Sequence, residues 1–276
     1  MVTIMKKSPW LVPLSGDSNC SLRLFAFPFA GGSAAAYASW YRWMPRNVEL
    51  IGVQLPGRAM RMGEAPIDDM NTLVSALLPH LRPLLDKPYQ LFGHSNGALM
   101  TFAVLNSLLN LGAPAPQAVI LSAKASPTLP RRHEPLSTLA EPEFLEKLKE
   151  LDGTPQELLN NLELMRLLSP MIRADFKLGE TFAMPVLNPS LAAIPAMIIG
   201  GQDDAMPLAD VFAWHSLFPN CHQVTLSGGH FCINTDPQFP NLLVDFVNAS
   251  HDRVGSVVAE RGAVPAVAQV LVGQEI

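Results

Sequence analysis

With 276 residues, 49% of them hydrophobic and only 16% charged, the chain can bury the core of one α/β domain carrying an insertion. A formal net charge of −5, with no lysine or arginine run longer than two, excludes the basic stripe that nucleic-acid binding requires. No apolar run approaches the roughly 18 residues of a membrane span, the segment 10–14 behind Lys6 and Lys7 is short and broken by Pro13, which excludes a secretory signal, and three scattered cysteines fit a reducing cytoplasm rather than a disulfide framework.

In chain order, residues 22–27 and 48–53 read as buried strands with a helix-length segment at 34–44 between them. A helix is expected over 68–85, then a strand at 89–92, a helix over 97–111 and a strand at 119–122. Strands at 196–199 and 222–226 follow, separated by a helix at 208–217, and a last helix is expected over 237–248. This alternation predicts an α/β fold with a mostly parallel, doubly wound sheet, whose ligand site lies beyond the carboxyl ends of the strands.

Residues 126–189 break the alternation with three amphipathic segments, 141–151, 155–168 and 170–182, the second opened by Thr154 as N-cap and Pro155 at the first helical position. A helical block between two strands of such a sheet is read as an inserted lid, ordinary sheet-packing helices being the plainer alternative. Residues 1–249 are therefore expected to form one domain with its lid at about 126–189. The alanine- and valine-rich residues 250–276 are left as an extension, whether disordered, docked as a strand or an appended remnant.

Chemistry enters at Gly93-His94-Ser95-Asn96-Gly97, which joins the strand at 89–92 to the helix after it. This is the G-x-S-x-G nucleophile elbow, a turn too tight for side chains larger than glycine on its flanks, with the serine at its apex. A serine hydroxyl needs a histidine base and an acid to orient it, and in the α/β-hydrolase fold these follow in the order Ser, Asp or Glu, His. Gly200-Gly201-Gln202-Asp203-Asp204 after one strand supplies the acid and Gly228-Gly229-His230-Phe231 after the next supplies the base. Of the adjacent carboxylates Asp203 is preferred, three residues past Gly200, with Asp204 as the alternative three past Gly201. His94, His80, His133, His215, His222 and His251 are read as structural or solvent-facing.

The glycine-rich bend Phe27-Pro28-Phe29-Ala30-Gly31-Gly32-Ser33 leaves backbone N–H groups free for an oxyanion hole, with the amides of Ala30 and Asn96 as its expected donors. It lacks the G-x-x-x-x-G-K-[ST] pattern of a phosphate loop. Cys221 and Cys232 flank His222 and His230, but without C-x-x-C or H-x-x-x-H spacing no metal site is expected.

With these residues assembled, the chain resembles the type II thioesterases of nonribosomal peptide and polyketide synthesis over residues 10–248. Phe27-Pro28-Phe29-Ala30-Gly31-Gly32, Gln54-Leu55-Pro56-Gly57-Arg58, Phe92-Gly93-His94-Ser95, Ser122-Ala123-Lys124-Ala125-Ser126-Pro127 and Gly228-Gly229-His230-Phe231 are similar to motifs of that family, as are Gly153-Thr154-Pro155 and the lid segment 168–176. One departure is Asn96, where the family usually has methionine; because the donor is the backbone N–H, the oxyanion hole survives, and the amide side chain could add a polar contact near the thioester. The resemblance implies an α/β-hydrolase fold and hydrolysis of acyl groups from the phosphopantetheine arm of acyl or peptidyl carrier proteins, clearing misprimed or stalled units. Ser95 would attack, His230 move the proton and Asp203 orient it. No cofactor is implied, since phosphopantetheine belongs to the substrate, and a monomer with neither nucleic-acid nor membrane partners is expected. Docking an acidic carrier calls for a basic patch, with Arg58 and Arg61, or Arg131 and Arg132, as candidates against solvated surface charge; Arg173 and Asp175 are read as structural within the lid. The competing readings are a small-molecule carboxylesterase using the same triad and a non-catalytic carrier-binding protein, which the intact triad disfavours.

Overall fold

The computed structural model describes residues 8–16, 19–132, 134–151 and 160–262, the last eleven of these by backbone alone. Seven strands form one sheet: β1 (Leu11–Ser15), β2 (Leu22–Phe27), β3 (Val48–Val53), β4 (Tyr89–His94), β5 (Ala118–Ser122), β6 (Ala196–Gly201) and β7 (Cys221–Leu226), in the order β1-β3-β2-β4-β5-β6-β7. All pairs are parallel except β1 with β3. The six expected strands are present. β1 was not expected; it is a short edge strand containing Pro13, a residue that only an edge tolerates because it cannot donate to a ladder.

The central strands are buried on both faces, as parallel strands covered by helices must be. Alternation divides their side chains between two cores. Phe25 and Phe27 of β2, with Ala196 and Ile198 of β6, face α1 (Met70–Leu81) and α2 (Asn96–Asn110). Leu22, Leu24 and Ala26, with Met197 and Ile199, face the 3-10 segment Ala34–Arg42 and the C-terminal helix. Arg23 is buried at the start of β2 and is neutralised by Glu49 at 2.8 Å and by Asp86.

Between β5 and β6 lie α3 (Glu141–Glu150) and α4 (Leu162–Glu180), with a small apolar core of Phe144, Leu148, Met165, Met171 and Ile172. The expected break at Pro170 is absent, because α4 runs through it. Pro170 lies on the exposed side of the helix, where water can serve the carbonyl that loses its N–H partner. Thr154 and Pro155, the expected start of the second lid helix, fall outside the described residues. Arg173 staples the block from within: it caps the carbonyls of Ser137 and Leu139, pairs with Glu141 at 2.9 Å and lies 4.0 Å over the Phe144 ring.

After β6 come α5 (Leu208–Phe212), the short α6 (Cys232–Thr235) and α7 (Phe239–Gly262). The last helix continues past residue 249, where a domain boundary was expected. It is anchored before that point by Leu243 and Val247 and by Gln90 Nε2 donating to the Val247 carbonyl at 2.9 Å, and just past it by a contact of 2.9 Å between His251 and Gln117. Phe239 carries the first turn of α7 into a cluster with Trp40, Trp43 and Phe92. Phe239→Ala is expected to lower unfolding free energy by about 3–5 kcal/mol, read from the denaturant midpoint at unchanged slope, whereas a loss under about 1 kcal/mol would mean that α7 is not part of the core.

Candidate active site

The site begins where β4 stops. Gly93 and His94 still pair with Leu121 and Ser122 of β5, the Ser95 N–H donates to the Ser122 carbonyl at 2.7 Å, and α2 starts at the next residue. Ser95 is left at φ 54° and ψ −123°, a conformation that costs a non-glycine residue roughly 1–3 kcal/mol. The glycines on its flanks are there for room: a Cβ on Gly93 would sit 2.2 Å from the Gly97 carbonyl oxygen, and one on Gly97 would sit 2.2 Å from that of Phe27.

The Ser95 hydroxyl donates to His230 Nε2 at 2.9 Å, and His230 Nδ1 donates to a carboxylate oxygen at 2.8 Å. That carboxylate belongs to Asp204 and not to Asp203. The expectation for Asp203 counted from Gly200 as the end of the strand, but β6 continues through Gly201, which moves the position three residues on to Asp204. Asp203 instead donates its backbone N–H to the Gly228 carbonyl at 2.9 Å and turns its side chain outward. The Asp204 side chain is 5% exposed, and its second oxygen accepts the Met206 N–H at 3.1 Å. The far end of the His230 loop is tied down by Asp236. Its carboxylate accepts the backbone N–H groups of Gln238 and Ser227, each at 2.7 Å, and these donors hold its pKa below the usual range.

Beside the triad, Gly32 N–H closes a tight turn onto the Phe29 carbonyl at 2.9 Å, and Gly31 N–H donates to Asp175 Oδ2 at 2.7 Å. The amides of Ala30 and Asn96 have no hydrogen-bond acceptor among the described residues. This leaves two N–H groups on the two segments that flank the serine, the arrangement an oxyanion requires.

The Asn96 side chain is not available to substrate as the sequence suggested. Its Nδ2 donates to the main-chain carbonyl of Asp175 on α4, and its Oδ1 lies 3.5 Å from Lys124 Nζ, whose pKa burial pushes down to about 8. His94 is fully buried, 3.0 Å from Ser122 Oγ, and is walled by Phe29 and Phe231. Burial, with the neighbouring His230 adding to it, holds its pKa well below the usual range, so it stays neutral beside the base. His80 stacks on Trp10, His222 meets the Phe246 ring edge, His215 sits over the Phe212 carbonyl and His251 lies against Gln117. None of these four reaches the serine, and His133 lies outside the described residues. Among the described residues no group of three His, Cys, Asp or Glu side chains is placed to hold a metal ion.

Of the two arginine pairs considered for docking, Arg58 and Arg61 face inward. Arg58 is buried against Asp175, while Arg61 lies 4.1 Å over the Trp10 ring and donates to the Gln54 carbonyl. The carboxylate that buries Arg58 comes from a distant part of the chain and left no local signal, whereas Arg61 also pairs with Glu64 three residues on, at 2.6 Å. Arg131 and Arg132 stay at the surface, with Arg132 pairing to Asp210 at 2.6 Å. Asp175, read as internal to the lid, reaches out of it to a loop 144 residues away in sequence.

The Thioesterase domain family matches residues 22–250. The linear gramicidin dehydrogenase LgrE of Brevibacillus parabrevis is 33% identical over 240 residues, 86% of this chain and 91% of that protein. The gramicidin S biosynthesis protein GrsT of Aneurinibacillus migulanus is 30% identical over 204 residues, 74% and 79% of the two chains. Among solved structures, the type II thioesterase BorB from the borrelidin biosynthetic cluster superposes with a TM-score of 0.78 at 28% identity, covering 88% of this chain and 99% of its own.

Asp204→Asn is expected to lower kcat for ester or thioester hydrolysis by roughly a thousand- to ten-thousandfold through loss of the correct histidine tautomer. Asp203→Asn should leave it within about threefold. Equal losses in the two variants would contradict the assignment.

Proposed function

The chain belongs to the thioesterase family, with a domain match spanning residues 22–250, and on that footing we propose that it hydrolyses acyl groups from the phosphopantetheine arm of acyl or peptidyl carrier proteins, clearing misprimed or stalled units from nonribosomal peptide or polyketide synthases. The observation that carries this reading is the relay from Ser95 through His230 to Asp204, at 2.9 and 2.8 Å, lying next to two amides without acceptors. The names of its relatives support the pathway, since GrsT serves gramicidin S biosynthesis and BorB comes from the borrelidin cluster.

In this mechanism Ser95 Oγ attacks the thioester carbonyl while His230 Nε2 takes its proton. Asp204 holds the imidazole so that Nε2 faces the serine, and it stabilises the imidazolium that forms. The carbonyl oxygen, now an oxyanion, rests on the amides of Ala30 and Asn96. His230 returns the proton to the departing pantetheine thiolate and then activates the water that releases the acid from Ser95. Nucleophile, proton carrier and charge stabiliser all come from this chain, so we assign no metal or organic cofactor and treat the pantetheine arm as substrate. We also propose that the protein acts in the cytoplasm as a monomer; among the described residues no helix is long and apolar enough to cross a membrane.

The relative named a dehydrogenase does not redirect this reading. A dinucleotide site needs G-x-G-x-x-G after its first strand, and the loop after β2 reads Pro28-Phe29-Ala30-Gly31-Gly32 instead.

The test is hydrolysis of acetyl- and longer acyl-carrier-protein thioesters by wild type and by Ser95→Ala. Turnover by wild type, with a loss of about a thousandfold or more in the variant, is the expected result. Cleavage of p-nitrophenyl esters without turnover of any carrier-bound thioester would replace the editing role with that of a small-molecule esterase.

A further inference from the structure

We propose that Asp175 of α4 is a positioning residue that fixes both halves of the oxyanion hole at once, an assignment that rests on the thioesterase reading above. The two amides assigned to the oxyanion belong to segments far apart in sequence, each reaching beyond the end of its own strand. Ala30 sits in the loop after β2, and Asn96 opens α2. Both segments are tied to this single lid residue. The Asp175 carboxylate accepts the Gly31 N–H at 2.7 Å, which fixes the peptide that follows Ala30. Its main-chain carbonyl accepts the side-chain amide of Asn96, the residue after the nucleophile.

Arg58 keeps that carboxylate in place. Its two terminal nitrogens donate to Asp175 Oδ2 and Oδ1 at 2.6 and 2.7 Å, and Nη1 also donates to the Gly32 carbonyl at 3.0 Å, so the guanidinium grips the oxyanion loop as well as the acid that orders it. The Arg58 and Asp175 side chains are 4% and 1% exposed. For stability alone such a pair is an expensive choice, because well-packed apolar side chains of similar volume usually do as well or better. Only a hydrogen-bond acceptor can hold the Gly31 amide. Oxyanion donors contribute because they are already aimed when charge develops, and the Phe29–Gly32 turn has no strand partner to aim it.

The test uses two double variants that both remove the buried charges. R58M/D175N keeps an acceptor for Gly31; R58M/D175L does not. With an acyl-carrier-protein thioester, R58M/D175L is expected to lose about 10- to 100-fold in kcat with KM within about threefold of wild type, and R58M/D175N to recover most of that loss. Equal kcat in the two folded variants would overturn the proposal. A second measurement needs no variant: in glycine-labelled wild-type protein the Gly31 amide should be strongly protected from hydrogen exchange. Exchange at the rate of a solvent-exposed amide would overturn the proposal even if the double variants fail to fold. A wild type without turnover would count against the thioesterase reading, while the Gly31 amide would still decide whether Asp175 holds the loop.

Discussion

The junction at Ser95 constrains everything around it. Strand and helix meet there within one residue, and the serine is held at a positive φ that the local chain would not choose. What keeps it there is packing. Almost the whole of α2 is buried, and its first turns press against the Phe27 and Pro28 carbonyls closely enough that only glycine fits at position 97. The strain is small beside the apolar surface that α2 buries, so the core fixes the turn. The hydroxyl therefore emerges at the carboxyl end of the sheet, the place where a doubly wound fold also gathers the loops after β2, β6 and β7. Each of those loops contributes one part of the site.

The loops are joined by hydrogen bonds and by the edge-to-face contact of Phe29 with Phe231, ring centroids 4.9 Å apart. Gln202 and Asp203 donate backbone N–H groups to the carbonyls of Leu226 and Gly228, which locks the acid loop to the histidine loop. Asp236 fastens the other end of the histidine loop, and Asp175 with Arg58 does the same for the turn after β2. The inserted helices thus have a double character. Around Phe144 and Met165 they form a separate small core of their own, while at Asp175 α4 is fastened to the catalytic floor.

Much of this was legible in the amino-acid order because it depends on neighbours in sequence. The central strands declare themselves as apolar runs since both faces are covered, and the elbow declares itself because sterics restrict its flanks to glycine. Ser95 and His230 follow from those two local signals. The acid was misplaced by one residue because β6 ends at Gly201, and a strand's end depends on its pairing with β7, which no local pattern records. The edge strand β1 was missed since Pro13 reads as a breaker until its antiparallel partner is known. Pro170 reads as a boundary in the sequence because whether a helix tolerates proline depends on which side faces water. Arg58 looked like free surface charge because its partner, Asp175, lies 117 residues away.

The central claim is that Ser95 carries the acyl group between thioester and water. Rapid mixing of the enzyme with an acyl-carrier-protein thioester, acid quench within the first turnover, and peptide mass analysis test it directly. The account predicts a transient mass increase equal to the acyl group on the peptide containing Ser95, decaying as free acid appears. Acid release with no adduct on that peptide, or with the adduct on another residue, would contradict it.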